Sequence, residues 1–176
     1  MLWAKSVSYF AGRSRSLVLS TLSLLTPVSS SLHLLQRSLR AITIKFSSQC
    51  SRHFFTLQEA AHHVTDGGRI ISISTFGTRS LFLGGAAHLG AKAAGEQFVR
   101  ALPMELGPRG ITVNTVSPWY TDTNMLVDDK LRRMGQQMSP LGRLGSPDDI
   151  TYVVAFLVSE QGRWITGQNI QAGGAW

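Results

Sequence analysis

Two side chains capable of proton transfer, His88 and Lys92, lie four residues apart in a segment with helical character. Residues at this spacing share one face of a helix, so both side chains would point the same way. An imidazole, with an ordinary pKa of about 6.5, can donate a proton near neutral pH, and a nearby lysine cation favours its neutral form. Hydroxyl groups are available at Thr75, thirteen residues before His88, and at its neighbour Ser74. A lysine at this spacing has little specificity by itself, so the surrounding elements decide what it means.

The hydrophobic pattern predicts the elements that would position these residues. Apolar residues at spacings of three and four predict helices, whereas short β-branched runs predict buried strands. The predicted elements are, in chain order, helix 54–64, strand 69–74, helix 86–106, strand 111–116, a polar stretch with helical patches through residue 138, a helix that begins after Ser146, and strand 169–172. Strands that alternate with helices in this way predict βαβ crossovers and a parallel sheet, and therefore the α/β fold class.

Two local signals refine this pattern. Ser146 is suited to cap a helix, Pro147 suits its first position, and Asp148 and Asp149 lie at the positive end of the helix dipole. Pro103 falls inside the predicted helix 86–106, where a proline removes a backbone hydrogen bond at a cost of about 3 kcal/mol. A helix start is therefore expected after Ser146, and a kink is a possible response to Pro103.

The net charge of +7 is confined to the beginning of the chain. Seven Lys and Arg residues and no Asp or Glu precede His53, whereas ten basic and ten acidic residues follow from His53 onward. A nucleic-acid-binding domain would carry its basic residues on a folded face beside groove-reading or aromatic elements. No such arrangement is present, so the sequence predicts no nucleic-acid partner.

Residues 1–53 form a basic leader rich in Ser and Arg, which we expect to lie outside the fold. Its composition resembles an organelle transit peptide, which would direct the protein to a mitochondrion or plastid. The apolar stretch 17–25 also resembles a secretory signal, but it is too short and too polar to span a bilayer. A third possibility is that the leader results from a truncation or a frame error upstream of a real domain, in which case a cytoplasmic location is expected.

Five segments after the leader resemble the short-chain dehydrogenase/reductase family, and in particular members similar to 3-oxoacyl-acyl-carrier-protein reductases. They cover about 120 residues in the family's order and spacing. They are the strand segment 67–75, the helical segment 88–92, the run 105–114, the segment 139–150 and the segment 164–168. The resemblance implies an incomplete Rossmann-like, doubly wound parallel sheet, formed by residues 54–176 and consisting of the family's last three strands and their helices.

The resemblance also implies a chemistry and a set of site residues. Family members transfer a hydride between NAD or NADP and a small carbonyl or alcohol substrate, using a tyrosine, a lysine and a serine. Lys92 matches the lysine, His88 stands at the tyrosine position, and Thr75 takes the serine position. Lys92, Pro118 and Thr123 match positions that contact the cofactor in the family. No metal site is implied.

The chain departs from the family pattern at several positions. His88 replaces the proton-donating tyrosine, and Trp119 stands where the family has a glycine beside the nicotinamide. The family's catalytic asparagine would align near Gln49. The glycine-rich turn that holds the pyrophosphate has no counterpart in residues 1–53, where Gly12 is the single glycine. The nucleotide-binding half of the family fold is therefore expected to be missing.

These departures leave two functional hypotheses. The chain is either a catalytically impaired NAD(P)-dependent oxidoreductase, or a non-catalytic remnant that could form a homo-oligomer or pair with an intact family member. Strand 69–74 would lose its usual neighbour, and an unpaired buried strand is an aggregation hazard. The strand-like segment 41–46 is the leader segment proposed to cover it.

Overall fold

The computed structural model describes residues 16–20, 32–80, 85–124, 126 and 128–174, with side chains from residue 46 onward. One sheet of four parallel strands has the order β1–β2–β3–β4. The strands are β1 Ser16–Ser20, β2 Arg69–Ile73, β3 Thr112–Pro118 and β4 Asn169–Ala172. The helices are α1 Leu32–His63, α2 Ala86–Leu106, α3 Asp129–Met138 and α4 Pro147–Val158. The predicted α/β class and parallel sheet are confirmed, and the three predicted strands are β2, β3 and β4.

Helices cover both faces of the sheet, as the buried β2 sequence requires. Ile70 and Ile71 are fully buried, and as consecutive strand residues they face opposite sides. Ile70 belongs to the core formed with α1 and α2, in which Leu57, Val99 and Val113 are also buried. Ile71 belongs to a second core on the α4 side, which also contains Val116 and Leu157. The sheet therefore lies between two helical layers.

The start of the fold differs from the expected boundary at residue 53. That residue lies inside α1, which begins at Leu32, and β1 adds a strand from within residues 1–53. Strand β1 pairs with β2 from Ser16 opposite Arg69 to Ser20 opposite Ile73. The prediction that segment 41–46 forms a covering strand is wrong, because that segment is helical and β1 pairs with β2 instead. Its β-branched residues gave a strand signal that the surrounding helix overrides.

Other boundaries agree closely with the sequence pattern. Helix α2 and strand β4 have the predicted limits, and α2 continues through Pro103. Ser146 caps α4: its hydroxyl accepts from the Asp149 amide at 3.2 Å, while a carboxylate oxygen of Asp149 accepts from the Ser146 amide at 2.7 Å. In the described part of the chain, no helix combines the length and apolar character needed to cross a membrane.

Candidate functional site at the carboxyl ends of the strands

The residues singled out from the sequence gather near the carboxyl ends of β2 and β3. Thr75 follows β2, Pro118 is the last residue of β3, and Pro118 is in register with Ala172 of β4. Helix α2 comes after β2 and the 3-10 turn in the chain, and it carries His88 and Lys92 one turn apart. Open α/β sheets bind ligands outside the carboxyl ends of their strands, so this edge is the natural location for a site.

Lys92 is held against the end of β2. Its side chain is 9% exposed, and its Nζ donates a hydrogen bond to the backbone oxygen of Ile73 at 2.9 Å. Burial lowers the lysine pKa to about 8, and the negative charge of Glu96, one turn further along α2, opposes this shift. Lys92 is therefore a partly neutral amine near pH 8, in contrast to an exposed lysine with a pKa of about 10.4.

Thr75 has a local structural role at the end of β2. Its hydroxyl oxygen accepts a hydrogen bond from the Gly77 amide at 3.2 Å and caps the 3-10 turn Phe76–Arg79. The hydroxyl hydrogen is not used in this bond, since the oxygen acts as the acceptor. The capping role and a role toward a substrate are therefore compatible, although the capping role alone explains the residue's position.

Glu96 organises the segment around Thr75. One of its carboxylate oxygens accepts hydrogen bonds from the Ser74 hydroxyl at 2.5 Å and from the Thr78 hydroxyl at 2.8 Å. Thr75 lies between Ser74 and Thr78 in the sequence, and Ser74 is buried. Sequence reasoning did not select Glu96, although its position four residues after Lys92 places it on the same helical face.

His53 of α1 makes a second buried polar contact, with Ser72 of β2. Its Nε2 lies 3.0 Å from the hydroxyl of Ser72 on β2, and the residue is 5% exposed. Burial, with a smaller contribution from the Lys92 charge, lowers the histidine pKa to about 4. The ring fits closely against Gly95 of α2, where an added Cβ would lie 2.5 Å from ring atoms. The helical spacing of His53 from Leu57 indicated a core position that sequence reasoning did not use.

Aromatic rings cross the site between the ends of β2 and β3. Phe76 and Trp119 pack edge to face with ring centroids 4.4 Å apart, and Trp119 and Tyr120 do so at 4.7 Å. Phe76 is buried, and Gly173 lies so close below Trp119 that an added Cβ would be 2.7 Å from the Trp119 Cβ. The indole Nε1 is buried without a hydrogen-bond partner among the described residues. The Phe76–Trp119–Tyr120 row thus fills space at the edge where a ligand would lie.

Comparisons with known proteins show which family shares this sequence and fold. A family model described as Enoyl-(Acyl carrier protein) reductase matches residues 28–174. The chain belongs to the short-chain dehydrogenase/reductase family. An uncharacterized oxidoreductase of Methylorubrum extorquens is 42% identical over 122 residues, which cover 66% of this chain and 49% of that protein. An NADPH-dependent aldehyde reductase-like chloroplastic protein of Arabidopsis thaliana is 37% identical over 136 residues, covering 74% and 50%.

Solved structures of other short-chain dehydrogenases/reductases share the fold. The angucycline C-6 ketoreductase LanV with bound NADP is 32% identical, with a TM-score of 0.73, and the match covers 92% of this chain and 62% of LanV. A short-chain dehydrogenase from Burkholderia cenocepacia in complex with NADP is 28% identical, also with a TM-score of 0.73, and the match covers 91% and 64%. The chain therefore spans about half the length of the curated relatives and less than two thirds of these structures.

The residues that match the family's cofactor positions are Lys92, Pro118 and Thr123. Pro118 is at the expected end of β3, but the next residue places an indole against Phe76. Thr123 lies beyond this row, and its backbone oxygen accepts from the Leu126 amide at 2.9 Å. Lys92 is directed to a backbone oxygen of β2. Structures of related family members contain NADP, and in this chain the Phe76 and Trp119 rings are in edge-to-face contact beside Pro118.

Proposed function

We propose that this chain is an NAD(P)-dependent carbonyl or alcohol oxidoreductase by descent whose own site binds the cofactor weakly and transfers hydride poorly. The oxidoreductase class is supported by the family and by relatives that include an NADPH-dependent aldehyde reductase-like protein. The candidate residues are Thr75, which follows β2, and His88 and Lys92, which lie one turn apart on α2.

The observation that carries the proposed impairment is the position of Trp119. Glycine permits a backbone to approach a ligand closely, whereas an indole occupies the same space. Trp119 is held on one side by Phe76, on the other by Tyr120, and from below by Gly173. A flat ring could enter only if this packing were broken, and aromatic pairs contribute about 0.5–1.5 kcal/mol each beyond their buried area.

The second supporting feature is His88 at the tyrosine position. His88 retains the one-turn spacing from Lys92 on α2. Its imidazole is shorter than a phenol, and a lysine cation disfavours the protonated form that would act as the donor. Proton transfer to a carbonyl oxygen is therefore expected to be slow even where a substrate is bound.

The test is a titration of the full 176-residue chain with NADPH and NADH, followed by nicotinamide fluorescence. We expect no saturable binding at micromolar cofactor for the natural chain and tighter binding for Trp119→Gly. Trp164→Gly is the matched control for cofactor binding, because Trp164 is 94% exposed and makes none of the ring contacts of the row. Micromolar binding by the natural chain, or no gain in Trp119→Gly while the fold is retained, contradicts the proposal.

A further variant, His88→Tyr, tests the role of His88, alone and combined with Trp119→Gly. His88→Tyr alone is expected to change cofactor binding little, since it leaves the Phe76–Trp119 contact in place. Combined with Trp119→Gly, it is expected to raise the rate of NADPH oxidation with a panel of small aldehydes and ketones by roughly 100-fold, the usual contribution of a positioned general acid. An equal rate in Trp119→Gly with and without His88→Tyr shows that residue 88 is not the proton donor.

A specific surface feature favours a second function, that of a partner to another family member. Tyr152 and Phe156 on α4 and Trp164 after it are 71%, 41% and 94% exposed. Exposed apolar side chains mark interaction surfaces when they are contiguous, and Tyr152 and Phe156 share one face of α4 at a spacing of four. This C-terminal surface could pair with a second copy of the chain or with an intact family member.

Light scattering coupled to size-exclusion chromatography tests the pairing. The double variant Tyr152→Ser, Trp164→Ser is expected to shift the natural chain toward monomer. Met104→Ser is a suitable control, since Met104 is 86% exposed on the other helical layer. A natural chain that stays monomeric, both alone and when mixed with an intact relative, excludes the partner function.

A further inference from the structure

The β2–α2 connection is held to helix α2 at three points by two side chains. Lys92 donates to the backbone oxygen of Ile73 at 2.9 Å. One turn further along, a single carboxylate oxygen of Glu96 accepts from the hydroxyls of Ser74 at 2.5 Å and Thr78 at 2.8 Å. The three anchored positions are the last residue of β2, the residue after it, and the third residue of the 3-10 turn.

We propose that Glu96 is a positioning residue, which fixes the segment 74–78 beside Lys92 and so sets where Thr75 and Phe76 stand at the site edge. The proposal rests on the proposed function only in assigning Thr75 and Lys92 to the reaction. Glu96 acts through its hydrogen bonds to Ser74 and Thr78 and through the charge that it places near Lys92.

The hydrogen-bond geometry explains why a carboxylate suits this position. Two hydroxyl donors meet on one oxygen, and bonds from a hydroxyl to an ionised acceptor are short and about twice as strong as neutral ones. Ser74 is buried, and its amide continues the sheet by donating to Val116 at 2.9 Å. Ser74 is thus fixed to the sheet through its backbone and to α2 through its side chain. The Thr78 amide donates to the backbone oxygen of Thr75 at 3.4 Å, which closes the turn, and the single hydrogen of the Thr78 hydroxyl is shared between Glu96 at 2.8 Å and that same oxygen at 3.1 Å.

The anchored turn also sets the aromatic row. Phe76 lies between the two residues that Glu96 holds, and it provides the face against which Trp119 packs. A change at Glu96 that loosens the turn is therefore expected to loosen Phe76 as well. This separates Glu96 from an ordinary helix-surface acid, whose replacement would leave the segment 74–80 unchanged.

The charge of Glu96 has a second, separable consequence for Lys92. The carboxylate favours the ammonium form and opposes the effect of burial, which holds the lysine pKa near 8. Among the described residues, His53 of α1 also interacts with this ammonium, whose charge helps to lower the histidine pKa, and His88 lies one turn earlier on α2. A neutral residue at position 96 is thus expected to make the Lys92 amine more reactive at neutral pH.

The experiment uses variants that separate hydrogen bonding from charge in the full chain. Glu96→Gln keeps an acceptor oxygen but removes the charge. The pair Ser74→Ala, Thr78→Val removes both donors but keeps the charge. Glu96→Ala removes both features, and Glu105→Gln is the control, since Glu105 is an exposed acid near the end of the same helix.

Two readouts follow the two effects, and neither requires cofactor binding. Acetylation of Lys92 as a function of pH, read by mass spectrometry against exposed Lys130, reports the ionisation of the amine. Hydrogen exchange of a peptide spanning 74–80 reports how firmly the turn is held. Failure of cofactor binding in the natural chain therefore leaves this test intact.

We expect Glu96→Gln to accelerate Lys92 acetylation at pH 7 by roughly threefold, and exchange in 74–80 to rise by less than in the hydroxyl pair, because the amide oxygen still accepts but forms weaker bonds. The Ser74→Ala, Thr78→Val pair should accelerate exchange by roughly a hundredfold without accelerating acetylation, because both bonds to the carboxylate are lost while its charge remains. Glu96→Ala should do both, and Glu105→Gln neither. Unchanged exchange in the hydroxyl pair, or unchanged acetylation in Glu96→Gln, overturns the proposal.

Discussion

The region around β3 and β4 and the edge around β2 and α2 use buried polar groups in different ways. In the first region, fully buried Asn114 donates to the backbone oxygen of Ile165 at 2.7 Å and accepts from the Gln168 amide at 3.1 Å. In the second, the buried groups include ionisable His53 and Lys92, and their pKa values are lowered to about 4 and about 8. A neutral amide joining two backbone groups stabilises the scaffold at every pH. A buried base makes stability and chemistry depend on pH.

The largest expected effect comes from breaking the neutral link. Asn114→Ala removes both hydrogen bonds, leaves the Ile165 carbonyl and the Gln168 amide without this partner, and opens a cavity at a fully buried position. We expect the free energy of unfolding to fall by about 4 kcal/mol, measured by urea denaturation. Asn124→Ala, at an exposed asparagine, should stay within about 0.5 kcal/mol of the natural chain. A loss below about 1 kcal/mol in Asn114→Ala would mean that the link between β3 and β4 is not a main support of the scaffold.

The next effect separates the two regions by pH. The folded-state pKa of His53, about 4, lies below the ordinary value of 6.5, so folding favours the neutral imidazole. Its contribution to stability is complete above pH 6.5 and is lost as the pH falls toward 4. The loss amounts to about 3 kcal/mol. Urea denaturation between pH 7.5 and 4 measures it.

The matched variants for this pH effect replace two histidines of α1, His53 and His62. His53→Gln keeps a polar group near Ser72 but cannot titrate, so its stability should be nearly flat from pH 6.5 to 4 apart from the contribution of other groups. His62→Gln changes an exposed histidine and should retain the acid loss. Equal pH slopes in the natural chain and His53→Gln would assign the acid sensitivity to residues other than His53.

The same contrast explains what could be predicted from the sequence. The limits of α2 and β4 and the Ser146 cap follow from local periodicity and from end signals, which one segment carries by itself. The contacts of Ser72 with His53 and of Ser74 with Glu96 join residues about twenty positions apart, so no local pattern reveals them. Strand β1 was missed for a related reason: its pairing depends on the open edge of β2, which lies some fifty residues away.

The candidate site was only partly predictable for a physical reason of its own. The resemblance selected Thr75, His88 and Lys92 by position; in the structure Thr75 follows β2, Lys92 bonds to the backbone oxygen of Ile73, and His88 lies one turn before Lys92 on α2. The resemblance could not show that Trp119 would pack on Phe76, because a side chain's direction depends on neighbours from other strands. The substitution of glycine by tryptophan was the one sequence signal for this contact.

The smallest expected effect concerns the Ser146 cap of α4, which is the local signal that starts this helix in the scaffold region, the part of the fold around β3, β4 and α4. Ser146→Ala removes the hydroxyl that accepts from the Asp149 amide and should lower the free energy of unfolding by about 1 kcal/mol, whereas Ser146→Thr keeps an equivalent acceptor and should lower it by less. The loss should be the same at pH 7.5 and pH 5.5, because Arg143 and the Ser146 groups hold the pKa of the Asp149 carboxyl well below its usual range. Urea denaturation of the three proteins at both pH values measures this difference. A cap contribution that changed between pH 7.5 and 5.5 would mean that the scaffold region shares the pH dependence of the β2–α2 edge, and the two regions would no longer be distinct.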